Sequence, residues 1–139
     1  MISIISGKKG KGKTKHLLAQ VNEMVANAHG SIVYLDKSAK HMYELSNKIR
    51  LINVSEYPLS SSDAFIGFLC GVLSQDSDIE TVYIDSFLKV SNLEGMDISE
   101  TVAVLNQISE QFHVDFVLSV SLDEAELPEA VKPYVTLAL

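Results

Sequence analysis

Short apolar runs alternate with stretches of helical periodicity along the whole chain. Ile2-Ser3-Ile4-Ile5-Ser6 reads as a first strand. From Lys13 the apolar positions Leu17, Leu18, Val21, Met24, Val25 and Ala28 fall on one helical face, with Gly30 as a natural stop. Ser31-Ile32-Val33-Tyr34-Leu35 is a second strand ending at Asp36. A second helix over 39–49 places Met42, Leu45 and Ile49 on one side, and Leu51-Ile52-Asn53-Val54 is a third strand. Ser60 to Asp63 can cap a helix carrying Phe65, Leu69, Val72 and Leu73. On that helix Gly67 and Gly71 lie one turn apart, a spacing that predicts close approach to a sheet.

Thr81-Val82-Tyr83-Ile84-Asp85 is β-branched and aromatic, a fourth strand ending on an acid. Asp97 and Glu100 have capping-box spacing for a helix with Leu105, Ile108 and Phe112 on one face. Phe116 to Val120 is a fifth strand, and Val135 to Leu139 a sixth after a short acidic piece. Regular alternation of strand and helix predicts an α/β fold: a mostly parallel sheet of about six strands with helices on both faces. Ligands of such sheets bind at the carboxyl ends of the strands, where the segment after Ser6, Asp36, Glu56 and Asp85 all fall.

Composition narrows the picture. With 139 residues, 47% of them apolar, the chain supports one core, so residues 1–139 are expected to form a single domain. The longest apolar run, Ala64 to Leu73, is too short to span a membrane, and no basic segment precedes an apolar stretch at the N-terminus. A cytoplasmic protein is the expectation. The single cysteine, Cys70, lies in that run and reads as a small buried hydrophobe.

The net charge of −7 is unevenly spread. Lys8, Lys9, Lys11, Lys13 and Lys15 supply five of the eleven basic residues, leaving six against all eighteen acids elsewhere. A nucleic-acid reader carries its positive charge over a wider face, so no nucleic-acid partner is implied. The cluster coincides with Gly7-Lys8-Lys9-Gly10-Lys11-Gly12-Lys13-Thr14, which satisfies G-x-x-x-x-G-K-[ST] between a strand and a helix. That pattern makes a phosphate-binding loop. Its glycines let the backbone point N–H groups inward, and the following helix adds the positive end of its dipole. Lys13 is then expected on the outer phosphates and Thr14 on Mg²⁺, with Asp85 as the second metal-holding residue.

These residues carry a resemblance to the RecA-like P-loop ATPases. Gly7 to Thr14 resembles Walker A, and Tyr34-Leu35-Asp36-Lys37-Ser38 the strand whose end carries the catalytic acid. Tyr83-Ile84-Asp85-Ser86 resembles Walker B, and Leu127 to Leu137 that family's last core strand. The resemblance implies a three-layer P-loop NTPase fold of RecA-like order, with ATP and Mg²⁺ as cofactors. It also exposes departures. The family's glutamate two residues beyond the aspartate of the second strand is Ser38 here, and no glutamate follows Asp85. Asp36 and Glu56 are the candidate substitutes for the catalytic base. Arg50 is the only arginine. Slow or partner-dependent ATPase activity with a regulatory role follows, with a homo-oligomer or another protein as partner. The segments where recombinases carry DNA-binding loops are short and acidic.

A second resemblance is to the ParA and MinD ATPases, since Lys8 occupies the place of the lysine that reaches a dimer partner's nucleotide. Those proteins are larger, and their D-x-x-P motif is absent after Asp85. Two other readings stay open: a nucleoside or small-molecule kinase, against which the scarcity of arginine speaks, and a catalytically degenerate interaction domain.

Overall fold

A computed structural model describes residues 1–139. Six strands, β1 (Ile2–Ser6), β2 (Ser31–Asp36), β3 (Ile49–Asn53), β4 (Ile79–Ile84), β5 (Asp115–Val120) and β6 (Val135–Ala138), form one sheet in the order β3-β2-β4-β5-β1-β6. Every neighbouring pair is parallel. All six strands therefore end on the same side of the molecule.

The helices are α1 (Lys13–Val25), α2 (Ser62–Gln75), α3 (Phe87–Val90) and α4 (Ser99–Phe112). Alternation along the strands sorts the side chains into two cores. Ile5, Ile32, Tyr34, Tyr83 and Val117 pack under α1 through Leu17, Leu18 and Val21. Ile4, Val33, Leu35, Val82, Ile84, Phe116 and Leu118 pack on the other face against α2, α3 and α4. The clusters hold 9 and 27 buried residues, so the three-helix side carries most of the core. Because both faces of β2, β4 and β5 are covered, these strands read as near-continuous apolar runs in the sequence. No helix is long and apolar enough to cross a membrane.

Several local expectations are corrected. No helix forms over 39–49: there is one 3₁₀ turn, Met42–Glu44, and β3 begins at Ile49. The Asn22 side chain of α1 donates to Glu44 O at 2.7 Å and accepts from Ser46 N at 2.8 Å, capturing backbone groups that a continuing helix would use. Only Leu45 and Ile49 of the predicted apolar face pack on the core, and Met42 is exposed. The capping box at α4 does not form. Ile98 is the N-cap, and Asp97 instead accepts from Ser99 N at 2.9 Å; the Ser99 hydroxyl first, and this N–H next, hold its carboxyl below the ordinary range. Phe112, in the last turn of α4, is exposed.

On α2 the large residues Phe65, Leu69, Val72 and Leu73 face the sheet. Ser61 caps the helix through Ala64 N. Gly67, Cys70 and Gly71 face outward, so neither glycine permits close packing and Cys70 is exposed. A ten-residue apolar run is here amphipathic by size, since small residues lose little by facing water.

Helix α1 ends at Val25 with Ala26 as its C-cap, four residues before Gly30. Gly30 serves a different purpose: a Cβ there would lie 2.1 Å from Asp78 O, where the chain crosses the start of β4 and Ser31 N bonds the same carbonyl at 2.8 Å. Gly30→Ala is expected to destabilise the fold by about 1–3 kcal/mol, by forcing β2 and β4 apart at their first residues. Urea unfolding measures this; an unchanged midpoint would show that the crossing has slack.

Candidate functional site

The glycine-rich loop grows directly out of β1, and its geometry depends on glycine where the φ angle is positive. Gly10 has φ 88° and Gly12 φ 90°, the left-handed region that other residues enter at a cost. Gly12 is the N-cap of α1, with no side-chain cap and no acid in the first turn, so the helix starts with its N–H groups and positive dipole end unanswered. Gly7 N bonds Leu122 O at 2.8 Å and tethers the loop to the end of β5. Lys13 is buried, with its ammonium folded back on Lys8 O at 3.2 Å. Burial lowers its pKa, and the nearby Asp85 charge opposes that.

Asp85 follows β4 directly and is 2% exposed. Four groups donate to it. Oδ1 accepts from Ser119 Oγ at 2.6 Å, Ser86 N at 2.9 Å and Thr14 Oγ at 3.2 Å, and Oδ2 accepts from the Tyr34 hydroxyl at 3.0 Å. Burial, and then Asp85 itself, push the Tyr34 phenol far above its ordinary value, so it remains a donor. Ser86 takes up a left-handed backbone, φ 53°, and its N–H reaches both Asp85 and Ser119. A strained non-glycine residue beside a saturated buried carboxylate is a pattern found at functional sites.

These elements enclose a cavity of about 380 Å³ without one hydrophobic side chain in its lining. Lys9, Gly10, Gly12, Lys13 and Thr14 come from the loop; Lys37, Lys40 and His41 follow β2; Asp85 and Ser86 follow β4; Ser119 and Ser121 lie at the end of β5. Cations, hydroxyls and backbone N–H groups around one carboxylate suit a polyanion accompanied by a hard cation. Asp85 and Thr14 are oxygen donors already in contact, and no cluster of three or more His, Cys, Asp or Glu exists that would form a protein-only metal cage. Mg²⁺ takes one or two protein oxygens and completes its shell with water and phosphate, so the donor set fits that ion. A cavity of similar size, about 390 Å³ beside Gln20, Thr81 and Tyr83, has a mixed lining with no lysine.

No protein-family model matches the chain, and no curated protein matches it.

The candidates expected from the sequence separate in space. Lys9, Gly10, Gly12, Lys13, Thr14 and Asp85 line the polar cavity. Gly7, Lys8 and Lys11 belong to the loop without lining it, and Lys8 pairs with Asp123 at 3.4 Å. Asp36 is 2% exposed at the end of β2: one carboxylate oxygen accepts from Lys37 N at 2.7 Å, and the other has no partner. Burial raises its pKa, with the Asp85 charge next, while Lys37 and His41 pull it down. Glu56 is exposed in the 3₁₀ turn Val54–Glu56 and borders a groove along β3, outside the polar cavity. Ser38 accepts from Lys40 N at 3.3 Å and does not line the cavity either. Arg50 sits on the edge strand β3, also away from it.

Sequence reading missed Tyr34, Lys37, Lys40, His41, Ser119 and Ser121. Ser119 had a visible signal, a hydroxyl within the apolar strand Phe116 to Val120. Tyr34 had none, because a tyrosine in a buried strand looks like core until its partner is known.

Proposed function

We propose that this chain binds a nucleoside triphosphate, expected to be ATP, together with Mg²⁺, and belongs to the P-loop ATPases of RecA-like order. The observation that carries this is the wholly polar cavity in which the Gly7–Thr14 loop, the uncapped start of α1 and the four-donor carboxylate Asp85 meet. Lys13 turns from Lys8 O to the outer phosphates, and the α1 N–H groups take the phosphate oxygens between them. Thr14 and Asp85 would hold Mg²⁺, which when bound would neutralise charge on the phosphate oxygens. Ser119, Ser86 and Tyr34 would keep Asp85 in place with the ion bound.

Turnover is slow in this reading. Serine at position 38 cannot act as an effective general base, Asp36 is sealed behind the strand end, and Glu56 borders a different groove. Occupancy of the site, rather than rapid hydrolysis, would then regulate a partner or a second copy of the chain. The ParA and MinD reading needs Lys8 to reach across a dimer; Lys8 makes only an exposed pair with Asp123 of its own chain, and no observation of the site favours that reading.

Calorimetry with ATP, ADP and GTP, with and without Mg²⁺, tests the proposal. The expected result is ATP binding that tightens when Mg²⁺ is present. Absence of heat with every nucleotide would overturn it.

A further inference from the structure

The polar cavity has a second cationic wall, and the glycine-rich loop contributes nothing to it. Lys37, Lys40 and His41 come from the segment between β2 and β3. Neither lysine forms an ion pair. In a chain with net charge −7, free cations gathered around one cavity point to an anionic ligand rather than to a solvated face.

This segment is pinned at both ends. Asp36 accepts from Lys37 N at 2.7 Å, fixing the turn out of β2, and Ser38 Oγ accepts from Lys40 N at 3.3 Å. Beyond them His41 pairs with Glu44, whose carbonyl accepts from Asn22 of α1 at 2.7 Å. The two lysines are thus held over the cavity by β2 on one side and by the helix that starts in the loop on the other. Lys37 also borders two adjoining cavities of about 330 and 190 Å³, and no other residue lines all three. It stands at the cavity's edge, whereas Lys13 is buried within it.

We infer that Lys37 and Lys40 form a clamp, acting in cis, on the terminal phosphate of the bound triphosphate, so that the segment after β2 distinguishes triphosphate from diphosphate. The inference rests on the nucleotide reading above. Lysine suits such a clamp, because it binds phosphate as a point charge on a flexible stem and needs no planar geometry. Apart from Lys13, the loop and α1 supply contacts to phosphates that both nucleotides carry, so only the phosphate at the far end can engage a separate wall. Asp36 is then a positioning residue for Lys37 through the turn it caps. The same segment carries Met42 and Tyr43, both exposed, so the surface beside the cavity becomes sensitive to the terminal phosphate.

The test is the ratio of ATP to ADP affinity, by calorimetry with Mg²⁺, in wild type, in the double variant Lys37→Gln/Lys40→Gln, in Lys37→Arg/Lys40→Arg and in Lys48→Gln, a lysine outside the cavity. Loss of the clamp is expected to weaken ATP by about ten-fold or more and to leave ADP unchanged. The arginine pair should restore the ratio, and Lys48→Gln should match wild type. Hydrogen exchange over 37–46 should slow with ATP but not with ADP. Equal weakening of both nucleotides, or no weakening, would overturn the clamp while leaving nucleotide binding intact. Failure of wild type to bind either nucleotide would instead overturn the underlying reading, and the clamp with it. All three variants alter exposed side chains, so unchanged thermal melts are expected alongside.

Discussion

Lys13→Ala is expected to abolish measurable triphosphate binding while leaving the fold as stable as before, or slightly more so. The two halves of this expectation have one cause. Lys13 is 7% exposed, and its ammonium meets a single carbonyl, that of Lys8. Burial works against its charge, as the lowered pKa shows, and Asp85 compensates only in part. The folded chain thus holds a cation that it does not need for folding. Phosphate is the partner that would use that charge, and removing a buried charged contact from a complex weakens binding by about 10²-fold or more. Calorimetry gives the first half and a thermal melt the second. Undiminished ATP binding by the variant would remove the loop from the phosphate site. A large fall in melting temperature would show that Lys13 is structural.

The second large effect is expected at Asp85. Asp85→Ala leaves the hydroxyls of Tyr34 and Ser119, both almost fully buried, without an acceptor and frees Thr14 Oγ as well, while Ser86 N keeps only Ser119 Oγ. Relief of the repulsion with Asp36 acts in the opposite direction, letting that carboxyl return toward its ordinary range. Orphaned buried donors cost about 1–3 kcal/mol each, and breaking such a network about 3–5 kcal/mol in all. The repulsion passes between two carboxyls, one of which is already biased toward its neutral form, so the orphaned donors win. The expected outcome is a melting temperature lower by about 10 °C without nucleotide. Loss of the Mg²⁺-dependence of ATP binding should accompany it. A variant as stable as wild type would contradict the network, and retained Mg²⁺-dependence would move the metal away from Asp85.

Much of the architecture was readable because the signals were local or strictly periodic. Each strand of the sheet is a run of β-branched and apolar residues, and coverage of both faces makes those runs dense. The face of α2 carrying Phe65, Leu69, Val72 and Leu73 emerged from spacing alone. Errors arose where a distant side chain competed with a local preference. Asn22 captures the backbone at Glu44 and Ser46, so the weak helical pattern over 39–49 yields to a 3₁₀ turn. At α4 the helix begins one residue later than the Asp97 spacing implies, and the carboxylate closes a turn instead. Cys70 and Phe112 were misplaced because helical phase near the end of an apolar face does not fix exposure.

By itself the sequence determined the order of the six strands, the three long helices among them and the loop Gly7 to Thr14, whose glycines, lysine and threonine lie close together in the chain and need no tertiary contact to be recognised. Only the tertiary structure decided what surrounds that loop. Lys37, Asp85 and Ser119 belong to three strand ends far apart in the chain, and the strand order, not the spacing of residues, brings them to one cavity, with the Tyr34 hydroxyl bonded to Asp85 from the core behind it. It also withheld Glu56 and Arg50 from that cavity, because β3 is an edge strand on the far side of β2. Side-chain convergence depends on which strands pair, and pairing is settled by burial summed over both faces of the sheet, a quantity that no short segment carries.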